Sequence, residues 1–159
     1  MTTTGPRRID RFLDQYADDH RNAANQLIHC FCVPLIVWTV IALLWAIPVP
    51  AHLAKPGLWA ALAAFLALAW SLRLSRPLAL AMLVGIVVMF VFTHWLHAHL
   101  GSATLACSAV VVFVLAWIAQ FIGHHFEGRR PSFLTDLGYL LIGPLWLLAK
   151  LFRRLGWRY

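Results

Sequence analysis

Charged residues are scarce in this sequence: they make up 12% of 159 residues, and only six are Asp or Glu. An ordinary soluble domain carries about a quarter charged residues. A chain of this length cannot bury its 62% of hydrophobic residues in one core. We therefore exclude a water-soluble globular domain. Three cysteines are too few for a disulfide scaffold, and the apolar composition excludes a disordered chain.

Four apolar runs follow the N-terminal segment, and each is long enough, or nearly so, to cross a bilayer as a helix of about 20 residues. The runs cover residues 27–47, 58–72, 78–95 and 103–122. Turn residues separate them, with Gly101 before the fourth run. The sequence therefore predicts an all-α fold, an integral membrane bundle of four transmembrane helices.

Two further segments flank the bundle. Residues 1–26 are polar, but apolar side chains recur on one face there, which predicts an amphipathic helix at the membrane surface. These side chains are Ile9, Phe12, Leu13 and Tyr16. A last apolar run, 137–152, is interrupted by Gly143 and Pro144, and we expect an interfacial or re-entrant helix there. The whole chain, 1–159, is expected to form a single membrane domain.

The positive charges favour one orientation of this bundle. With four spans, the N-terminal segment, the second loop and the C-terminal region lie on one side, and they hold 12 of the 13 Lys and Arg residues. Since Lys and Arg collect in cytoplasmic loops, we expect both termini to be cytoplasmic. The net charge of +7 is then an orientation signal, and no nucleic-acid partner is needed to explain it. The Ala, Leu and Arg content favours a bacterial inner membrane.

The eight histidines divide into two groups of four at opposite ends of the spans. The far-side group is His52, His94, His97 and His99. Histidine and tryptophan commonly settle at such an interface, so a second metal site is the less favoured interpretation there. The cytoplasmic group is His20, His29, His124 and His125. Because a bilayer separates the two groups, they cannot share one metal ion.

The first cytoplasmic cluster extends from His20 to His29. Asn22, Asn25 and His29 are spaced to line one face of a helix. His20 is nine residues from His29, about 180° away on a continuous helix. Both can therefore face one site only if the helix is broken between them, and Asn22 is a natural N-cap for such a break. Alternatively, Asn22 only caps a helix while the histidines contact interfacial water.

The second cluster surrounds the end of the fourth apolar run. Gln120, His124 and Glu127 share one helical face, and Gly123 permits close approach of another helix. Imidazole ligands with a carboxylate suit Fe(II) or Zn(II), and a ligand set with open positions suits non-haem iron chemistry with O2. The alternative is an ion pair between Glu127 and a neighbouring arginine.

Together the clusters form two motifs about ninety residues apart. The first is His20-x-Asn22-x-x-Asn25-x-x-Ile28-His29-x-x-x-Val33-Pro34, and the second is Gln120-Phe-Ile-Gly123-His124 followed by Phe126-Glu127-x-Arg129-Arg130-Pro131. The pair resembles the family of fungal 2-hydroxy fatty acid dioxygenases, over about residues 8–155.

The resemblance implies a small membrane enzyme, in the endoplasmic reticulum of eukaryotes, that uses Fe(II) and O2 to shorten a 2-hydroxy fatty acid by one carbon. It implies His20, His29 and His124 as iron ligands. Together with Glu127 from the polar face at the end of the fourth run, these histidines are the predicted catalytic residues. The fungal motif has two residues between its Gly-His pair and its Phe-Glu pair, where this chain has only His125. Either His124 or His125 can therefore occupy the ligand position.

The remaining polar residues have predicted supporting roles. Arg21, Arg129 and Arg130 are candidates to neutralise the carboxylate of a fatty acid lying in the leaflet. The side chains expected to support the ligands are Asn22, Asn25 and Gln120. Three other functions remain open: a zinc-dependent lipid hydrolase, haem binding by paired histidines, and a non-catalytic lipid-binding or assembly protein.

Overall fold

The structure of the chain is a computed structural model that describes residues 5, 7–50, 52–53, 55–128 and 138–159. Within these residues the regular structure is entirely helical, which confirms the predicted all-α class. The helices are α1 (Arg8–Asp18), α2 (Ala23–Ala46), α3 (Leu58–Leu72), α4 (Arg76–Glu127) and α5 (Tyr139–Arg154).

Helix α4 is broken at Gly101, whose backbone leaves the helical region with φ 75° and ψ 170°. Glycine adopts this positive φ without the steric cost that a Cβ would impose. The second half of α4, residues 102–127, runs antiparallel to α2. Asn25 near the start of α2 adjoins Gly123 near the end of α4. Ala42 near the end of α2 packs with Leu105 just after the break.

The first half of α4, residues 76–100, runs parallel to α2. Val33 of α2 lines a cavity with Met82, and Trp45, further along α2, contacts Phe90. Residue numbers at the contacts therefore increase in the same direction along both helices, as in a parallel pair. Since the two halves of α4 run in opposite directions, they form a helical hairpin with its turn at Gly101, where the sequence predicted the turn between two helices.

Large apolar side chains cover much of the outside of the molecule. Phe31, Phe65, Leu66 and Val84 are each about two-thirds exposed, and many other large apolar side chains are exposed as well. Helices α2 and α4 are long and apolar enough to cross a membrane, whereas α3 is apolar but has only 15 residues. The excess of hydrophobic residues therefore lies on the surface of the bundle and not in its core.

Helices α1 and α5 pack against each other at the end of the bundle where α2 begins. The apolar face predicted for α1 is present, but it packs on protein: Ile9 and Leu13 are buried in one cluster with Ile142 and Leu145 of α5. Helix α5 continues through Gly143 and Pro144, the residues that interrupt the last apolar run in the sequence. A proline removes only one helical hydrogen bond and can bend a helix without ending it.

Candidate metal centre

Three histidines from separate parts of the chain meet at this end of the bundle. His20 lies in the turn between α1 and α2, His29 on the second turn of α2, and His124 on the last turn of α4. They are 1%, 2% and 5% exposed, respectively. Each offers one ring nitrogen, and these three atoms lie within 4.8 Å of one another.

The position of His20 depends on the start of α2. Asn22 is the N-cap of this helix, and its side-chain oxygen accepts hydrogen bonds from the backbone N–H groups of Ala24 and Asn25. The helix therefore begins after His20, as the predicted break requires. Because the break separates His20 from the helical phase of His29, the two rings approach each other, with their Nε2 atoms 3.0 Å apart.

Backbone carbonyl groups fix the orientation of both rings. Nδ1 of His20 donates to the carbonyl oxygen of Tyr16 at 2.6 Å, and Nδ1 of His29 donates to that of Asn25 at 2.9 Å. A carbonyl oxygen can only accept, so both neutral rings carry their proton on Nδ1 and expose a lone pair on Nε2. Metal-binding histidines are commonly oriented by such a bond at the other ring nitrogen.

Two facing lone pairs repel each other unless a cation lies between them. A separation of about 3.0–3.4 Å is expected for two imidazole nitrogens bound about 2.1 Å from one metal ion, which matches the distance between His20 and His29. His124 adds a buried Nδ1 atom that has no hydrogen-bond partner. Burial also lowers the pKa of His20, which favours the neutral ring that a metal requires. The three residues therefore fit a metal ion.

Glu127 connects the end of α4 to the turn that carries His20. Its carboxylate accepts hydrogen bonds from the backbone N–H groups of Arg21 and Asn22, both at 2.9 Å, and from Nδ2 of Asn25 at 3.0 Å. These donors lie at the N-terminus of α2, where a negative charge is also stabilised by the helix dipole. Glu127 thus contacts the residues around the ligands, and it is not a member of the three-histidine group.

Gly123 allows α2 and α4 to approach closely beside the histidines. A Cβ atom at this position would lie 2.5 Å from Oδ1 of Asn25. The Asn25 side chain has no exposed surface and is held by the hydrogen bond from its Nδ2 atom to Glu127, so it cannot move aside freely. The predicted role of Gly123 in close helix packing is therefore present in the structure.

The methyl group added in Gly123→Ala overpacks this contact, at an expected cost of about 1–3 kcal/mol in unfolding free energy. The loss should exceed the helix-propensity gain of about 1 kcal/mol for replacing glycine with alanine. Gly85→Ala is the matched control, since a Cβ at Gly85 meets no atom within 4 Å. Thermal unfolding in detergent should show a lower midpoint for G123A and an equal or higher one for G85A; the reverse order would contradict this packing.

The structure describes three of the other predicted site residues: His125, Arg21 and Gln120. His125 is exposed and lies outside the three-histidine group. Arg21 is exposed and forms an ion pair with Asp18 at 2.7 Å. Gln120 is buried, lines the cavity beside the histidines, and has an Oε1 atom without a hydrogen-bond partner. Arg129 and Arg130 lie outside the described residues.

On the far side, the histidines remain apart from this site. Nε2 of His97 lies 2.9 Å from the hydroxyl oxygen of Ser102, and Nδ1 of His99 lies 2.7 Å from the carbonyl oxygen of Trp95. In the part of the chain that the structure describes, they join no group of three residues able to hold a metal.

Several residues that surround the histidines were not predicted from the sequence. The Tyr16 ring stacks on His20, with centroids 4.1 Å apart and an interplanar angle of 13°, and Trp146 lies 5.6 Å from the same ring. The Lys150 ammonium lies 4.5 Å from the Trp146 ring centroid and donates to Gln26, which donates to the backbone oxygen of His20. The one available signal was a single lysine within an apolar run.

A cavity of about 50 Å³ adjoins the histidines. This volume exceeds the roughly 10–15 Å³ that one water molecule needs. One part of its wall consists of imidazole, phenol and amide groups, and the other part is apolar, with Val33, Ile36, Val37 and Trp117. The cavity therefore suits a ligand that has a polar end and an apolar end.

These features define an α-helical protein with a buried three-histidine group that could hold a metal ion. The chain belongs to the family described as 2-hydroxy-palmitic acid dioxygenase Mpo1-like, whose model matches residues 7–155. It is 27% identical over 139 residues to the 2-hydroxy-palmitic acid dioxygenase MPO1 of Saccharomyces cerevisiae, over 86% of this chain and 75% of the yeast protein. No solved structure matches the chain. The resemblance found in the two sequence motifs is thus confirmed.

Proposed function

We propose that this protein is an Fe(II)-dependent dioxygenase of 2-hydroxy fatty acids, with His20, His29 and His124 as the iron ligands. The observation that carries the proposal is the convergence of three buried imidazoles whose ligand nitrogens lie within 4.8 Å. The family to which the chain belongs supports the reaction class. Three histidines leave coordination positions open, which suits iron chemistry with O2.

The proposed reaction breaks the bond between C1 and C2 of the acid. R–CH(OH)–COOH and one O2 give R–COOH, CO2 and H2O, so the product is one carbon shorter. C1 and C2 together lose four electrons, which reduce both oxygen atoms of O2, and no external reductant is needed. A bound iron ion would supply the redox chemistry that allows O2 to react with a closed-shell substrate.

The protein residues around the cavity have distinct proposed roles. Oε1 of Gln120 is buried without a partner at the cavity wall, so it is suited to accept the hydrogen of the 2-hydroxyl group. We propose Arg21, Arg129 and Arg130 for the substrate carboxylate, since guanidinium groups bind carboxylates in pairs of hydrogen bonds. Glu127 and Asn25 are proposed to hold the His20 turn against α4, which the contacts of the Glu127 carboxylate support.

We further propose that the whole chain, 1–159, is one membrane domain with four spans and both termini in the cytoplasm of a bacterium. The exposed apolar surface supports a lipid environment. The opposite directions of the two halves of α4 support two separate spans within that element, at 78–95 and 103–122. The one-sided distribution of Lys and Arg supports the orientation.

Metal exchange tests the proposed chemistry. The purified protein is stripped with a chelator, reloaded with either Fe(II) or Zn(II), and incubated with 2-hydroxypalmitate or with a lipid ester or amide, in air or under argon. We expect pentadecanoic acid only with Fe(II) in air. Lipid ester or amide hydrolysis with Zn(II) under argon would instead identify a hydrolase, and no turnover under any condition would favour a non-catalytic protein.

A further inference from the structure

A second cavity, of about 140 Å³, lies next to the histidine cavity. The two share Val33 and Val37 of α2 as wall residues. Every side chain that lines the second cavity is apolar, and α5 contributes Pro144 and Leu147 to its wall. An apolar space therefore lies directly beside the cavity of the metal centre.

The residues of α4 that line this cavity form one stripe, because they all lie on the same face of the helix. Met82, Gly85 and Met89 belong to this stripe, and their spacing of three or four residues places them above one another. Two of the three methionines in the chain thus line this cavity. Methionine side chains are flexible and polarisable, and they adapt to apolar ligands of varied shape.

The space beside the centre of this stripe is unfilled, because Gly85 has no side chain. A Cβ atom at Gly85 would meet no atom within 4 Å. Pro34 inside α2 and Pro144 inside α5 also line this cavity.

We infer that this cavity binds the acyl chain of the acid whose carboxyl end lies at the three histidines. The inference rests on the proposed function and adds the site for the tail. An apolar cavity of about 150 Å³ in another protein stays dry and binds benzene, so this one has room for a segment of roughly six carbons. Its shared wall with the histidine cavity assigns it to that substrate and not to a bulk membrane lipid.

Gly85 is then the residue that determines whether long chains bind. Gly85→Leu fills the space, and we expect kcat/KM for 2-hydroxypalmitate to fall at least roughly ten-fold, as steric changes of a few methylene groups do in apolar pockets. The loss should appear mainly in KM. Turnover of 2-hydroxybutanoate, whose tail is too short to reach the cavity, should change less than about two-fold.

Val84→Leu is the matched control, since Val84 is the adjacent residue and is 65% exposed on the outside of α4. It should leave both substrates unaffected. Equal loss for both substrates in G85L, or equal effects of G85L and V84L, would overturn the inference. Bound metal should stay the same in all three proteins, which separates a filled cavity from a damaged centre.

A binding measurement separates this inference from the proposed reaction. The metal-free protein is labelled with palmitic acid that carries a photoreactive diazirine in its chain, and labelled residues are mapped by mass spectrometry. We expect labels on Met82, Met89 and Leu147 that 2-hydroxypalmitate competes away and that G85L removes.

If the wild type shows these labels but shortens no 2-hydroxy acid, the reaction is wrong and the acyl site stands. If it shortens the acid but labels lie elsewhere, or if a phospholipid probe labels the cavity equally, the acyl site is wrong.

Discussion

The His124→Ala protein should contain almost no bound metal and no activity, whereas the His125→Ala protein should keep both. His124 is 5% exposed and offers its nitrogen to the group with His20 and His29, while the adjacent His125 is exposed. Replacing residues that only support a metal ligand commonly weakens metal binding 10–100-fold. Loss of a ligand itself should therefore weaken binding at least about 100-fold.

Metal analysis and a chelator competition on the two purified variants check this expectation. The pair is well matched, because both changes remove one imidazole from the last turn of α4 and leave the helix otherwise intact. His20→Ala and His29→Ala should behave like His124→Ala. Full metal content in H124A together with loss in H125A would place the ligand on His125 and contradict a metal centre formed by His20, His29 and His124.

Glu127→Ala should have the second-largest effect, and on both stability and metal affinity. The change leaves the N–H groups of Arg21 and Asn22 and Nδ2 of Asn25 without their acceptor. We expect a loss of about 1–3 kcal/mol in unfolding free energy. Metal affinity should fall about 10–100-fold, because the turn that presents His20 is no longer fixed.

Asp18→Ala is the control for removing a carboxylate near Arg21. Its ion pair is 2.7 Å long but mostly exposed, so we expect a change of at most about 1 kcal/mol and normal metal binding. Glu127→Gln keeps one acceptor oxygen and should recover part of the metal affinity. If Glu127 only positions the turn, E127Q keeps its kcat per bound metal; a large fall in kcat with full metal content would show that the carboxylate takes part in the chemistry.

Local sequence rules predicted the parts of the site that depend on one helix. Asn22 as an N-cap required a break after His20, and that break is what brings His20 to His29. The face shared by Gln120 and His124 follows from helical spacing, and both side chains are buried there. Helical phase also separates His125 from that face by about 100°, which explains its exposure.

The rest of the site depends on packing between distant elements. Tyr16 and Trp146 reach His20 only because α1 packs against α5, and the amphipathic pattern of α1 does not distinguish a protein surface from a lipid surface. The partners of Glu127 were also missed. They are mainly backbone groups at the start of another helix, and sequence patterns of charged side chains do not reveal such donors.

Oxygen uptake shows whether the three histidines hold an iron ion that uses O2 to shorten a 2-hydroxy acid. Protein loaded with Fe(II) is placed in an oxygen-electrode cell, and 2-hydroxypalmitate or palmitate is added while the C15 acid and CO2 are measured. We expect O2 consumption with 2-hydroxypalmitate only, with one O2 used for each acid shortened, and no consumption by H124A. Shortening of the acid without O2, or equal uptake by wild type and H124A, would contradict a three-histidine dioxygenase.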